Sequence, residues 1–311
     1  MPFYLTLFSA FALLICQRSA GAPPAGGNAV IRGPAGPSYI VIKTTDRLAG
    51  AIDSLTWNGK EFIDSFDHGR QLQSACSFDC ALAQPFWAEC YNPTESGSRD
   101  DGAGGHSSSR LISLRTASGE LETTTQMAFW LAPGEASEGR PALNGSVLSE
   151  YRVSKHVLIG YKNLPHVIEY TVKFAVPNGE RHTFSQFESL TGYMPAEFTR
   201  MWTFDRATGT LVEIDAGPGE QNRPLVFANH GGDFAMGIYS PDQPSRGFET
   251  LGYGRFRFEN ERVLKWNCVF RVRNADRISA GEYRFRMFLV VGTLENVRHA
   301  FVELVNDFSK P

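Results

Sequence analysis

Short runs in which apolar and polar residues change places every second position dominate this chain. Tyr39–Ile42 is apolar and β-branched. Ala51–Trp57 alternates in part, stops at Asn58-Gly59 and resumes over Lys60–Ile63. Asn-Gly between two such runs is a hairpin signal, because both residues tolerate positive φ. Further runs follow at 110–117, 121–131, 147–160, 166–176, 182–189, 199–204, 211–215, 225–229, 234–240, 253–259, 263–273 and 282–292. In 166–176 the period of two is plain: Val167, Glu169, Thr171 and Lys173 face one way, Ile168, Tyr170, Val172 and Phe174 the other. About a dozen strands with no helical stretch between them predict an all-β, antiparallel sandwich or barrel. One helical stripe stands apart at the C-terminal end: Leu294, Val297, Phe301, Leu304, Val305 and Phe308. Thr293 is a suitable N-cap and Glu295 suits the first turn, so this α-helix should close the domain against a sheet.

The pattern also divides the chain. Residues 4–16 are apolar and uncharged, too short to cross a bilayer, and lead to Ala20-Gly21-Ala22, a cleavage motif. We read 1–22 as a signal peptide, which makes the protein secreted, extracellular or periplasmic. A lipid anchor on Cys16 fits poorly, since Ile15 is too large before a lipidated cysteine. Residues 23–37, rich in Pro, Gly and Ala, read as a flexible leader. Residues 38–311 read as a single β-sandwich domain, and nothing in them is apolar enough over sufficient length to span a membrane. Residues 64–109 are the exception to the periodicity, and a connection of that length usually carries function.

Composition adds three constraints. The 311 residues carry a formal net charge of −3, which offers no basic field for nucleic acid or an anionic membrane. The 23 phenylalanines and 30 glycines fit strands and turns. Past the signal, Cys76, Cys80, Cys90 and Cys268 remain. In an oxidising compartment they predict one or two disulfides, with three complete pairings open, and free buried thiols are the alternative. Their spacings match no common structural zinc pattern, and no cofactor motif is present. Asn144-Gly145-Ser146 is a glycosylation sequon.

The stretch Gly50–Ile63 reads as a glycine, alternating apolar residues, a turn, a glutamate and an apolar closure. Together with Ala235–Pro241 it resembles the galactose mutarotase-like superfamily. That resemblance implies a large antiparallel β supersandwich and a carbohydrate-active protein. The histidine beside a Tyr-Phe-Asn segment that aldose epimerases carry has no counterpart here, so none of their catalytic residues transfers.

Three polar clusters and four single residues are candidates for the chemistry. Asp67–Gln73 joins His68, an acid or base near neutral pH, to Arg70, a clamp for a uronate carboxylate, and to Gln73 as an amide donor. Trp87, Tyr91 and Asn92 offer stacking faces and an amide for a sugar, with Glu95 as the preferred catalytic carboxylate. His230 and Asp233, beside two glycines, could form an oriented base. Glu188 and Tyr193 could move a proton, and Arg200 could neutralise a carboxylate; His106 is a lesser candidate. Each has a bland alternative as a turn, a surface loop or a structural side chain. The reading taken forward is a secreted enzyme that cleaves glycosidic bonds of a polysaccharide or oligosaccharide, a lyase on a uronate in preference to a hydrolase. The alternatives are a non-cleaving sugar-binding or aldose-epimerase-like protein, and a structural surface protein.

Overall fold

Asn58 and Gly59 take φ of 49° and 75° and close a hairpin between Ala51–Trp57 and Lys60–Glu61, as their residue types require. The computed structural model describes residues 26–65, 71–82, 85–101, 105–241 and 247–309, and there the alternating runs become strands almost throughout. The hairpin belongs to a four-stranded antiparallel sheet made of Ala29–Ala35, Ser38–Thr45, Ala51–Trp57 and Lys60–Glu61 in chain order.

The second sheet has fifteen strands, all paired antiparallel. Its central path runs Ala235–Tyr239, Gly281–Gly292, Leu164–Val176, Leu148–Tyr161, Glu120–Phe129, Pro93–Thr94, Gln73–Phe78, Phe184–Pro195, Val263–Arg273, Phe248–Phe258. Phe174 and Phe285 sit on neighbouring strands in one half of this path; Phe187 and Phe270 pair directly in the other. Yet Phe187 lies 5.1 Å from Phe174, and Phe285 lies 5.3 Å from Phe187 and 4.4 Å from Phe270. The sheet therefore folds back on itself, and its apolar faces meet in one core that also takes Ile40, Ile42, Ile52 and Leu55 from the small sheet. The alternation predicted an all-β antiparallel sandwich or barrel, and of these it is the supersandwich implied by the resemblance that forms.

The single helix, Leu294–Phe308, begins as read, with Thr293 accepting from the Asn296 amide in a capping box. Its buried Val297, Ala300, Phe301 and Leu304 pack on a second apolar cluster with Val226, Tyr239 and Phe288. Gly237 lets it approach: a Cβ there would come within 2.6 Å of both Val297 and Phe301. Among the described residues no helix is long and apolar enough to cross a membrane.

Five expectations need correction or fall elsewhere. Residues 29–35, read as flexible leader, form the first strand, because Ile31 and Ala35 are buried and the segment pairs with Ser38–Thr45 through a turn at Gly36. The structured domain thus begins before Ser38. The signal segment 1–22 lies outside the described residues. Gln73–Phe78 is a strand inside a region that lacked periodicity; it is buried on both faces, so no alternation marks it. All four cysteines are free thiols, Cys76, Cys90 and Cys268 buried, and burial pushes each thiol up, that of Cys80 to about 12. Asn144 is buried as well, its amide donating to the Leu131 and Ser146 carbonyls, which withdraws it from glycosylation.

At the centre of the path, Gly192 lies against the fully buried Trp266, and a Cβ there would sit 2.4 Å from the indole. Gly192→Ala should therefore cost about 1–3 kcal/mol through overpacking, measured as a lower urea midpoint with an unchanged slope.

Candidate functional site

Where the strands Gln73–Phe78, Phe184–Pro195 and Val263–Arg273 lie side by side, their outward faces floor a cleft of about 270 Å³. A β-bulge builds this floor. Glu188 pairs with Val269 and Leu190 with Cys268, so Ser189 is an extra residue on one strand. The bulge shifts the alternation by one. Gln186 and Glu188 before it and Thr191 and Tyr193 after it consequently all line the cleft, while Phe187 and Leu190 stay in the core. Lys265, Asn267 and Arg271 come from the neighbouring strand, all of one parity, and Gln73 and Ala75 from the other side. Glu89, Asn92, Trp130, Glu220 and Phe256 complete the walls.

Glu188 is the centre of the cleft's electrostatics. It is 16% exposed, lies 3.5 Å from the Lys265 ammonium, and accepts from Thr191 Oγ1 at 2.9 Å and from the Asn267 amide. Burial would push its carboxyl up, but Lys265 and these donors outweigh that and hold it below the ordinary glutamate value. Burial would likewise push the Lys265 ammonium down; Glu188, Tyr193 and Glu89 outweigh it and hold it well above its usual range. The same ammonium lies over the rings of Tyr193 and Phe256, at 5.8 and 5.6 Å. Arg271 is engaged too: its Nη atoms grip both Glu220 oxygens at 2.8 Å, and its Nε donates to Gln186 at 2.9 Å. Ser137 Oγ donates to Glu89 at 2.5 Å.

Of the residues read from the sequence, the cleft gathers Glu188, Tyr193, Gln73 and Asn92. His68 and Arg70 lie outside the described residues. Glu95, the preferred carboxylate, is not in the cleft. Its neighbour Thr94 lines the floor, but Glu95 points into the core, fully buried, ion-paired with the equally buried Lys155 and accepting from the Ser74 amide at 3.1 Å. Tyr91 is no stacking platform: its ring packs on Phe129 and Phe78, and its hydroxyl donates to Glu180 at 3.1 Å. Trp87 lies outside the cleft, with its indole N–H on Ser137 and the Arg140 guanidinium 4.1 Å over its ring. His230 and Asp233 are exposed in the turn between Leu225–Ala228 and Ala235–Tyr239, where the Gly232 carbonyl accepts from the first helical amide, that of Leu294. Arg200 grips Glu213 at 3.1 Å through two nitrogens and stacks on Trp202. His106 is exposed and lines no part of the cleft. From the three sequence clusters, Gln73 and Asn92 meet in the cleft, while Trp87, Tyr91, Glu95, His230 and Asp233 do not line it. Lys265, Asn267 and Arg271 were overlooked, although their spacing of two and four along one strand is a polar face visible in the alternation.

No family model matches the chain, and no curated protein does. Solved structures resemble it in the course of the chain. The Slr1438 protein of Synechocystis sp. PCC 6803 overlaps 88% of this chain and 97% of its own, at 12% identity and a TM-score of 0.45. A galactose mutarotase-like protein from Lactobacillus casei ATCC 334 overlaps 85% and 100%, at 10% identity and 0.42. Heparan sulfate lyase HepC from Pedobacter heparinus overlaps 86% of this chain but 35% of its own, at 10% identity and 0.41. These are likenesses of architecture.

Because Glu95 is a core partner, its removal should act on stability. Glu95→Gln leaves the Lys155 ammonium buried and uncompensated and should cost about 3–5 kcal/mol. The double replacement Glu95→Met with Lys155→Met should recover most of that in chemical denaturation.

Proposed function

We propose that the chain binds a neutral carbohydrate in this cleft, outside the cytoplasm, with Glu188 as the acceptor that orients it. The observation that carries this reading is the charge inventory of the lining. Three carboxylates, Glu89, Glu188 and Glu220, stand against two cations, Lys265 and Arg271, and each cation is already paired with a carboxylate. A uronate would need a free cation to neutralise it, and among the described lining residues none is left. A neutral sugar needs what remains: a carboxylate and amides for its hydroxyls, and aromatic faces for its ring. Gln73, Asn92, Gln186 and Asn267 supply the amides, and Trp130, Tyr193 and Phe256 the faces. This departs from the uronate lyase preferred on sequence grounds. The supersandwich resemblance of Gly50–Ile63 points to sugar chemistry in the same way.

Hydrolysis is the second reading, favoured by the presence of several carboxylates in one cleft. Glu188, held ionised, is in the state a nucleophile or charge stabiliser requires. Glu220 is committed to Arg271, so Glu89 is the second carboxyl left in the cleft for this chemistry.

Titration calorimetry with neutral and uronate-bearing oligosaccharides tests the binding reading. The neutral ligand should bind, Glu188→Gln should weaken it about tenfold or more through loss of charged hydrogen bonds, and Trp130→Ala should weaken it as well. A cleft that prefers the uronate, or binds the neutral sugar equally well without the Glu188 charge, overturns it. Release of reducing ends that disappears in Glu89→Gln would establish hydrolysis. The pH profile follows from the direction of the Glu188 shift. Its carboxylate is ionised above the ordinary value of 4.5 in folded and unfolded chain alike, and stays ionised below it only when folded. Its contribution to stability is therefore complete above pH 4.5 and lost as pH falls through the lower folded value. Affinity should be flat from neutral pH to 4.5 and decline only below.

A further inference from the structure

The other half of the large sheet carries a second concavity on its outward face, a groove of about 410 Å³. It crosses five strands, and their register puts its side chains into two rows. In the first, Lys173 stands opposite Arg284 on one side and Ser154 on the other, Ser154 opposite Thr124, and Thr124 opposite Ser113. In the second, His156 stands between Thr171 and Glu122, and Glu122 opposite Arg115. At the usual strand spacing the first row, on five strands, spans about 19 Å and the second, on four, about 14 Å.

The charges here are arranged unlike those of the cleft. Arg115 and Arg284 are exposed, and among the described residues neither is ion-paired. Lys173 has only the exposed Glu282, a pairing worth little in water. Lys173 and Arg284 are directly opposed across two strands, and like charges so placed are unfavourable. Hydroxyls of Ser113, Thr124, Ser154 and Thr171 fill the ground around the cations. Among the described residues no Phe, Tyr or Trp lines the groove, which leaves no broad platform for stacked bases, and the chain's net charge of −3 gives no long-range pull on nucleic acid.

We propose that this groove is a second ligand site and that it takes an acidic carbohydrate, its carboxylate or sulfate groups seated between Arg115 and the Lys173–Arg284 pair. An anion there relieves the repulsion between Lys173 and Arg284, and the hydroxyl rows meet the hydroxyls of the sugar between charges. The site is independent of the cleft and of the function assigned to it.

Calorimetry on the full chain with a short oligogalacturonate, a sulfated oligosaccharide and a neutral cello-oligosaccharide tests the proposal. The two acidic arms distinguish carboxylate from sulfate as the anion. At least one should bind, weaken with added salt, and lose about tenfold or more in the double variant Arg115→Gln with Arg284→Gln, whose exposed positions leave folding intact. Glu188→Gln, which disables the cleft, should leave this binding unchanged, so the two sites fail separately. Absence of acidic-sugar binding, indifference to the double variant, or loss in Glu188→Gln overturns the proposal. Equal affinity for single-stranded DNA overturns the preference for carbohydrate. Binding that requires added zinc and vanishes in His156→Ala also overturns it, and assigns the groove instead to a metal held by Glu120, Glu122 and His156, whose ligand atoms lie within 4.8 Å of one another.

Discussion

One inserted residue sets the phase of the functional face. Without Ser189 as a bulge, the strand Phe184–Pro195 would keep strict alternation, and Thr191 and Tyr193 would turn into the core on which Gln186 and Glu188 turn their backs. The bulge allows four polar or aromatic side chains to line one cleft while Phe187 and Leu190 remain in the folded-back core. The neighbouring strand needs no such device, because Lys265, Asn267 and Arg271 share a parity. Gly192 and Trp266 complete the arrangement from below, where absence of a side chain on one strand makes room for the largest side chain on the next.

Three carboxylate–cation arrangements on the same protein illustrate how surroundings determine meaning. Glu95 and Lys155 are fully enclosed and wired to backbone groups, so the pair belongs to the fold. Glu188 and Lys265 are half-enclosed with two further donors, which keeps the carboxylate charged and still open to a ligand. Arg115 and Arg284 stand in the open and, among the described residues, form no ion pair, which is what the proposed acidic ligand would use. A cleft whose cations are all paired suits an uncharged ligand; a groove with unpaired cations suits an acidic one.

What the sequence determined by itself was everything with local periodicity or local stereochemistry. Alternation reported the strands, the Asn58-Gly59 pair its hairpin, and Thr293 with its apolar stripe the helix, because each depends on residues a few positions apart. Glu188 and Tyr193 were legible only as titratable residues flanking Ser189–Gly192, which reads as a turn but continues the strand Phe184–Pro195. Tertiary structure alone decided the rest. Glu95 and Glu188 are the same residue type, and only the side of the sheet each faces makes one a core partner and the other a cleft acceptor. The strand Gln73–Phe78 left no alternation to read, being buried on both faces, and the opposition of Lys173 to Arg284 joins positions 111 residues apart. Register and enclosure are properties of the packed sheet, and they govern which charges meet water, which meet each other and which are left for a ligand.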